Sequence, residues 1–310
     1  MIAAVIVTYL PDVRQVIELC ERLREELDLV VVADNGSGEE MQAWRAVMGD
    51  GLVYLDLGSN RGIGTAQNAG IRAARQKGAR RILLLDQDSR PAPGMIAALR
   101  ASAERCEAQD GAACVVAPDY ADMETGHHAS FVRLGGARVE RVRCAGTADD
   151  RRALPVDVTI ASGLLIPVEI LDTVGLMDES LFIDQVDTDW CLRARKMGYR
   201  IYVDCTARML HSLGTDRRRV WAGRWRMLPV HQPQRLYYQW RNTLLLARRA
   251  HAHPALTSNT LAALAIKTLT AAVFGPQRTR SAAMCVRGVI DGIRGRAGPY
   301  AGVLPGRVPH

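Results

Sequence analysis

The run Leu83-Leu84-Leu85 ends abruptly in Asp86-Gln87-Asp88-Ser89, two carboxylates one residue apart. Leucines gain by leaving water, whereas unpaired acids lose by it. Such a pair therefore needs a partner. Mg²⁺ and Mn²⁺ take few protein oxygens and let substrate phosphates complete their shell, so Asp86 and Asp88 suit a divalent cation held against a diphosphate. The competing reading is a solvated turn, because Asp and Ser are common turn formers. A second acidic stretch, LFIDQVDTDWCLRA (181–194), carries Asp184, Asp187 and Asp189. Residues two apart on a helix project about 200° apart. Asp187 can then face a cleft while Asp189 caps the helix or pairs with Arg193 at i+4. A carboxylate fixed in a cleft can serve as general base toward a hydroxyl. His211, in RMLHSLG, offers an imidazole that is either structural or a metal ligand.

The glycine-rich stretch GSNRGIGTAQNAG (58–70) invites a dinucleotide-binding reading, and fails it. Gly62-x-Gly64 is followed by Gln67 where a third glycine belongs, and the first strand runs into TYLPD rather than a glycine turn. What remains is a loop that approaches a phosphate or ribose as it enters a helix, or an ordinary strand-to-helix connection.

These groups need a frame. AAVIVTY (3–9), DLVVVADN (28–35), GLVYLDL (51–57) and RRILLLDQD (80–88) read as strands. VRQVIELCERLREEL (13–27), TAQNAGIRAARQKG (65–78) and PGMIAALRASAERCE (93–107) alternate with them as helices. Such alternation predicts a parallel sheet with helices on both faces, whose ligands sit at the carboxyl ends of the strands. DVTIASGLLIPVEIL (157–171) reads as a strand, a tight Ser-Gly turn and a short apolar segment, DTDWCLRARKMG (187–198) as a helix and YRIYVD (199–204) as a strand. Beyond about residue 232 the pattern turns mainly helical, ending in a glycine-rich basic stretch. The division expected is a domain over 1–220 and a helical, basic region over 221–310.

The 310 residues are 48% hydrophobic and 24% charged, which supports a sizeable core and excludes wholesale disorder. Seven scattered cysteines with no CxxC argue against a disulfide framework or a zinc site and for a reducing compartment. MIAAVIVTYLPD lacks the basic start and cleavage site of a signal peptide and reads as a buried strand. The segment 255–274 is apolar but carries Lys267, making it marginal as a membrane span. Charge is divided unevenly: residues 211–310 hold 16 basic and 2 acidic residues, a net of +14, against −7 for the rest. A basic tail, with Trp and Arg interleaved in WAGRWRM (221–227), suits a membrane surface. A solvated face around a homo-oligomer contact is the alternative. Nucleic acid is not expected, because no recognition motif accompanies the charge.

In order along residues 2–250, VIVTYLPD, VVVADNGS, SNRGIGTAQNAGI, ILLLDQDS, ASGLLIPVEILDTVGLMDESLFIDQVDTDWCLRARKMGY and YYQWRN resemble the family 2 glycosyltransferases, bacterial rhamnosyltransferases in particular. The resemblance implies an α/β GT-A fold, Rossmann-like, with a mainly parallel sheet flanked by helices. It places Thr8, Tyr9, Asp34 and Asn35 around the nucleotide, with Asp34 toward the pyrimidine or its ribose. Asn60, Gly62, Gly64, Asn68, Asp86 and Gln87 complete the donor site. Asp86 and Asp88 would hold Mg²⁺ or Mn²⁺, with His211 as third ligand, and Asp187 would be the base. Many members carry an acid directly before the base, whereas Val186 stands here. Asp184 and Asp189 therefore remain alternatives to Asp187.

The implied reaction is inverting transfer from dTDP-L-rhamnose or a UDP-sugar to a glycan or polyprenyl-diphosphate-linked acceptor, in the cytoplasm or on the inner face of the membrane. A nucleotide-sugar hydrolase or nucleotidyltransferase would use the same pocket without an acceptor base. A non-catalytic scaffold of a glycan-assembly complex would use neither.

Overall fold

The structure is a computed structural model. It describes residues 1–300 except 47–48, 50, 124, 145–152, 212–215, 222–224 and 231, and the backbone alone for 216–221 and 225–230. The first half alternates as expected: β1 (Ile2–Thr8), α1 (Val13–Glu26), β2 (Leu29–Asp34), α2 (Glu39–Arg45), β3 (Leu52–Asp56), α3 (Ile63–Gln76) and β4 (Arg81–Asp86). Then come β5 (Arg90–Pro91), α4 (Met95–Asp110), β6 (Val115–Asp122), β7 (Phe131–Gly135), β8 (Arg138–Val142), β9 (Leu154–Val156), β10 (Leu165–Pro167), α5 (Val168–Val174), α6 (Val186–Lys196) and β11 (Ile201–His211). The chain closes with β12 (Asp216–Trp221), β13 (Trp225–Val230), α7 (Pro233–Leu246), α8 (Pro254–Phe274) and α9 (Arg278–Ile293).

The main sheet runs β3-β2-β1-β4-β10-β6-β11-β5, with β9 also on β11. β3, β2, β1 and β4 are mutually parallel, as are β6 and β11. β10, β9 and β5 run antiparallel, so the sheet is mainly rather than wholly parallel. β1 and β2 are nearly continuous apolar runs because both their faces are covered. One core lies between the sheet and α3, α5 and α6; the other lies between the sheet and α1 and α4. Asp12 caps α1, accepting from Arg14 N at 3.0 Å.

The pairing of β5 with β11 matters most for the site. Met209 opposes Pro91 and Leu210 opposes Arg90, which sets His211 beside the Asp86–Ser89 turn. β11 reaches that point through a register shift between Asp204 and Arg208, where the Asp204 carboxylate accepts from Thr206 N at 2.8 Å and Ala207 N at 3.3 Å.

Several expectations change. Cys144 and Cys205 form a disulfide, their Cα atoms 5.5 Å apart, so the cysteines are not all free thiols; the fold brings together residues 61 positions apart that no spacing motif links. The remaining five are buried and free. The hairpin β12–β13 spans the expected division at 220/221, so a strand pair precedes the helices of the C-terminal region. The side chains of WAGRWRM lie outside the described residues. The basic end contains a further helix, α9, built around Gly288 and Gly292.

α3 lies on β1 with no space for a side chain at Gly70: a Cβ there would come 2.3 Å from Val5 Cγ1. Val5 is fully buried and β-branched, so it cannot swing aside. Gly70→Ala is expected to cost about 1–3 kcal/mol of unfolding free energy, measured by chemical denaturation.

Candidate active site

The carboxyl ends of β1, β2 and β4 meet in a knot of short bonds. Thr8 Oγ1 donates to Asp34 Oδ1 at 2.8 Å, and Ser37 N donates to Asp34 Oδ2 at 3.0 Å. Ser37 Oγ also donates to Asp34. Asn35 Nδ2 donates to Asn60 Oδ1 at 3.0 Å, while Asn35 Oδ1 accepts from Arg61 N at 2.8 Å. Tyr9 N donates to the Gln87 side chain at 2.7 Å, tying the β1 exit to the Asp86–Ser89 turn. Ser89 Oγ accepts from Asp86 N at 3.1 Å and lies 2.6 Å from Ser162 Oγ. The Thr8–Asp34, Tyr9–Gln87, Asn35–Asn60, Asn35–Arg61 and Ser89–Ser162 contacts join residues 25 to 78 positions apart.

Beside this knot opens a cleft of about 280 Å³, lined by Asp86, Gln87, Asp88, Asp184, Asp187, His211 and Arg235 together with apolar Val7, Ile63, Ile160, Ala161, Ile183 and Val186. A larger hollow of about 1180 Å³ lies at the opposite ends of β1 and β4; it mixes acids and arginines, among them the ion pairs Arg81–Glu107 and Arg100–Glu104. The convergent acids are in the smaller cleft.

His211 approaches Asp88 Oδ1 at 3.3 Å through Nδ1 and Asp86 Oδ2 at 3.7 Å through Nε2. Its Nδ1 is buried and makes no well-aligned hydrogen bond. One ligand atom from each of the three residues falls within 4.8 Å of the others. Two carboxylates and an imidazole around one point form a donor set suited to a divalent cation of the Mg²⁺ or Mn²⁺ class. Burial pushes the Asp86 carboxyl up, opposed by His211. Burial alone would lower His211, but Asp88 and Asp86 outweigh it and hold the imidazole above its ordinary range.

The three acids around α6 have different surroundings. Asp189 is fully buried and accepts from Arg193 Nε at 2.9 Å and lies 2.7 Å from His251 Nε2, with Arg249 also bonded to it. Asp184 accepts from Arg235 Nη2 at 2.8 Å and Gln239 Nε2 at 3.3 Å. Asp187 faces the cleft, and Thr188 N donates to its Oδ1 at 2.7 Å. Burial raises its carboxyl to about 6, with Asp184 and Asp86 adding to the rise and the Thr188 bond opposing it.

Five expected site residues thus line the cleft: Asp86, Gln87, Asp88, Asp187 and His211. Thr8, Tyr9, Asp34, Asn35 and Asn60 form the adjoining knot. Gly62, Gly64 and Asn68 sit at the back of it. Gly62 has φ +91°, and a Cβ there would lie 2.6 Å from Phe182 O; a Cβ at Gly64 would lie 3.2 Å from Asp178 O. Asn68 uses its whole amide on the protein, accepting from Met177 N and donating to Met177 O, both at 2.9 Å, and to Glu179 at 2.8 Å.

The connector before α6 surrounds Asp184 with residues that sequence reading did not single out. Phe182, Asp184 and Gln185 all have positive φ, 66°, 63° and 67°. α7 holds this segment from one face. Asn242 Nδ2 donates to the carbonyls of Leu181, Ile183 and Asp184 at 2.9, 2.8 and 2.9 Å, and Arg241 Nη2 donates to Leu181 O at 2.9 Å. Arg235, Gln239 and Asn242, at spacings of four and three, share one side of the helix. The string YYQWRN contains Arg241 and Asn242, but nothing in it points to carbonyls some 60 residues earlier.

The raised Asp187 carboxyl has a consequence for stability. The unfolded chain gives up this proton at lower pH than the fold does. Ionisation therefore costs folding free energy, and the loss grows as pH rises from about 4 through about 6. Asp187→Asn removes that cost and keeps an oxygen for Thr188 N. In EDTA at pH 8 it is expected to be more stable than the parent by about 1–3 kcal/mol, with the advantage shrinking toward pH 4, as read by denaturant titrations at both pH values.

Comparison with known proteins places the fold and the family. Residues 4–164 match the family described as Glycosyl transferase family 2. The chain is 31% identical to dTDP-rhamnosyl transferase RfbF of Shigella flexneri over 299 residues, 96% of this chain and 97% of that protein. Among solved structures, TarS 1-349 of S. aureus in complex with UDP-GlcNAc aligns with TM-score 0.56 and 13% identity, over 95% of this chain and 81% of that one. GalNAc-T7 with UDP, GalNAc and Mn²⁺ aligns with TM-score 0.54 and 15% identity, over 68% of this chain and 44% of that one. The family match covers half of the chain and the identity to RfbF nearly all of it: the protein belongs to glycosyl transferase family 2 and is a glycosyltransferase.

Proposed function

We propose that the protein transfers L-rhamnose, with inversion, from dTDP-L-rhamnose to a hydroxyl of a glycan or polyprenyl-diphosphate-linked acceptor in surface-polysaccharide synthesis, at the cytoplasmic face of the membrane. The sugar and its carrier come from likeness to RfbF across nearly the whole chain. The observation that carries the chemistry is the charge of the cleft. Asp86, Asp88, Asp184 and Asp187 face Arg235 and His211 there, so the cleft is negative. A diphosphate would be repelled unless a divalent cation bridged it to the protein.

Asp86, Asp88 and His211 would hold Mg²⁺ or Mn²⁺. When bound, such an ion supplies positive charge to the departing diphosphate. Thr8, Tyr9, Asp34, Asn35, Asn60 and Gln87 shape the donor's nucleotide seat, while Gly62, Gly64 and Asn68 let its loop close against the base-bearing segment. Arg235 and Gln239 occupy the Asp184 carboxylate, and Asp189 is paired in the interior. Asp187 also lines the cleft, its carboxylate bonded to Thr188 rather than to a basic side chain, and it is the general base. The acceptor oxygen bonds to the anomeric carbon as the bond from that carbon to the diphosphate oxygen breaks. The hydroxyl proton passes to Asp187, and the nucleoside diphosphate leaves as an anion.

Purified protein offered dTDP-rhamnose, and in parallel UDP- and GDP-sugars, with Mg²⁺ and a membrane-lipid extract as acceptor source, is expected to release dTDP only when acceptor is present. EDTA should stop the release, and Asp187→Asn should slow it by about 10²–10⁴-fold. Release indifferent to acceptor and to Asp187 would mean a hydrolase. Silence from folded protein across the donors would favour the scaffold.

Asn242 is a positioning residue in this scheme. A displacement of about 1 Å at a reacting group costs on the order of 10²-fold in rate. Asn242→Ala is therefore expected to lower kcat by about that factor while leaving the donor KM near the parent's. Asn242→Asp, which turns oxygen lone pairs toward three carbonyls, should be worse. An unchanged kcat in Asn242→Ala would show that the connector holds its shape without the amide.

A further inference from the structure

We infer that the outward faces of α8 and α9 form a docking surface for an anionic lipid bilayer, on which the protein lies flat. This deepens the reading of a lipid-linked acceptor and rests on it for its purpose, though not for its test. α8 is long and apolar enough to cross a membrane by length and composition. Its packing argues for lying rather than crossing. Leu264 and Ala271 are buried, and Thr268 Oγ1 accepts from Trp240 Nε1 of α7 at 2.8 Å. A crossing helix would have to abandon these contacts. Lys267, in mid-helix, is partly buried, and Asp184 acts on its charge.

The other side of α8 is a stripe of exposed apolar residues: Ile266 at 68%, Leu269 at 66% and Val273 at 43% exposure, spaced by three and four. α9 repeats the pattern with Val286, Ile290 and Ile293 at 59%, 40% and 58%. Neither stripe can turn inward. Gly288 and Gly292 press α9 against α7 so closely that a Cβ would lie 2.5 Å from Tyr237 O and 2.9 Å from Leu244 Cβ. The outward face of α9 is therefore fixed by backbone contact on the inner one.

Charge identifies the occupant. Residues 254–296 carry six basic side chains and one acid, Asp291. That acid is buried and accepts from Tyr237 at 3.0 Å. Arg278, Arg287 and Arg294 are exposed beside the apolar stripes. An apolar stripe flanked by arginines matches the boundary between acyl chains and anionic headgroups. A second copy of this chain would bring an equally positive face against it and be repelled.

The test is flotation of the full chain with phosphatidylcholine vesicles, with and without phosphatidylglycerol, at low and high salt and without donor or acceptor, beside sedimentation velocity. Binding is expected to the anionic vesicles and to fall with salt. Arg287→Ala/Arg294→Ala should weaken the partition about thirtyfold. Ile266→Glu/Leu269→Glu should abolish it, with both variants melting as the parent does. Binding indifferent to lipid charge would overturn the anionic partner. A dimer that Ile266→Glu/Leu269→Glu splits, with no vesicle binding, would assign the face to a second copy. A monomer that binds neither vesicle would overturn docking outright. The transfer reaction is not engaged in any arm, so each of these failures leaves it standing.

Discussion

Excess negative charge in a recessed cleft is the constraint on which the rest of this structure depends. Asp86, Asp88, Asp184 and Asp187 converge there against Arg235 and His211, and burial pushes both Asp86 and Asp187 toward protonation. A fold gains nothing from such an arrangement, since removing one charge from water costs more than a distant partner restores. It persists because rigid surroundings leave the acids no escape. Asp86 ends a strand paired on both sides, and His211 is set beside it by the pairing of β11 with β5. The stability given up is the physical mark expected of the proposed site, where a cation and an anionic ligand would bind together.

A second cost lies in the connector Phe182–Gln185. Three non-glycine residues in the left-handed region each carry on the order of 1–3 kcal/mol of strain. Such a segment holds its shape only if its surroundings over-determine it. Asn242 binds three carbonyls of the segment or its flank, Arg241 shares one of them, and Arg235 with Gln239 grips the Asp184 carboxylate. All four come from α7, which lies beyond the residues 4–164 that match the family. The C-terminal region is thus the outer wall of the candidate site as well as an appendage.

How much of this the sequence disclosed depended on distance along the chain. Asp86 and Asp88 stand out because they interrupt a leucine run, and the separation of Asp187 from Asp189 follows from helical geometry, with Arg193 four residues on from Asp189 as its partner. The alternating strands and helices of the first half are legible for the same local reason. The clasp of Asn242 on carbonyls 58 to 61 residues earlier is not, nor is the Cys144–Cys205 pair across 61 residues. Short, partly charged strands such as β8 carry too little periodicity to be seen. The start and end of α9 do not stand out in a stretch that reads only as glycine-rich and basic; Gly288 and Gly292 are the points where it touches α7. Asn68 and Gly62 show the converse. Their motif was visible, yet what they contact is protein, and that is a tertiary fact.

The contact at Gly62 bears on how such a site would work. Ile63 N donates to Phe182 O at 2.7 Å, and a methyl group at Gly62 would collide with that same carbonyl. The loop assigned to the donor and the segment that aims Asp187 therefore meet backbone to backbone, with no side chain between them to flex. Asn68 and Glu179 extend the seam by one turn, Glu179 drawing Asn68, Thr65 and Arg72 together. Whatever sits against this loop lies at a separation from Asp187 that is set before any ligand arrives. Pre-set spacing of this kind is how a protein lowers the entropic part of a barrier without moving. It also explains why glycine is the residue that fits at position 62: any larger one would push the segment before Asp187 away from the loop.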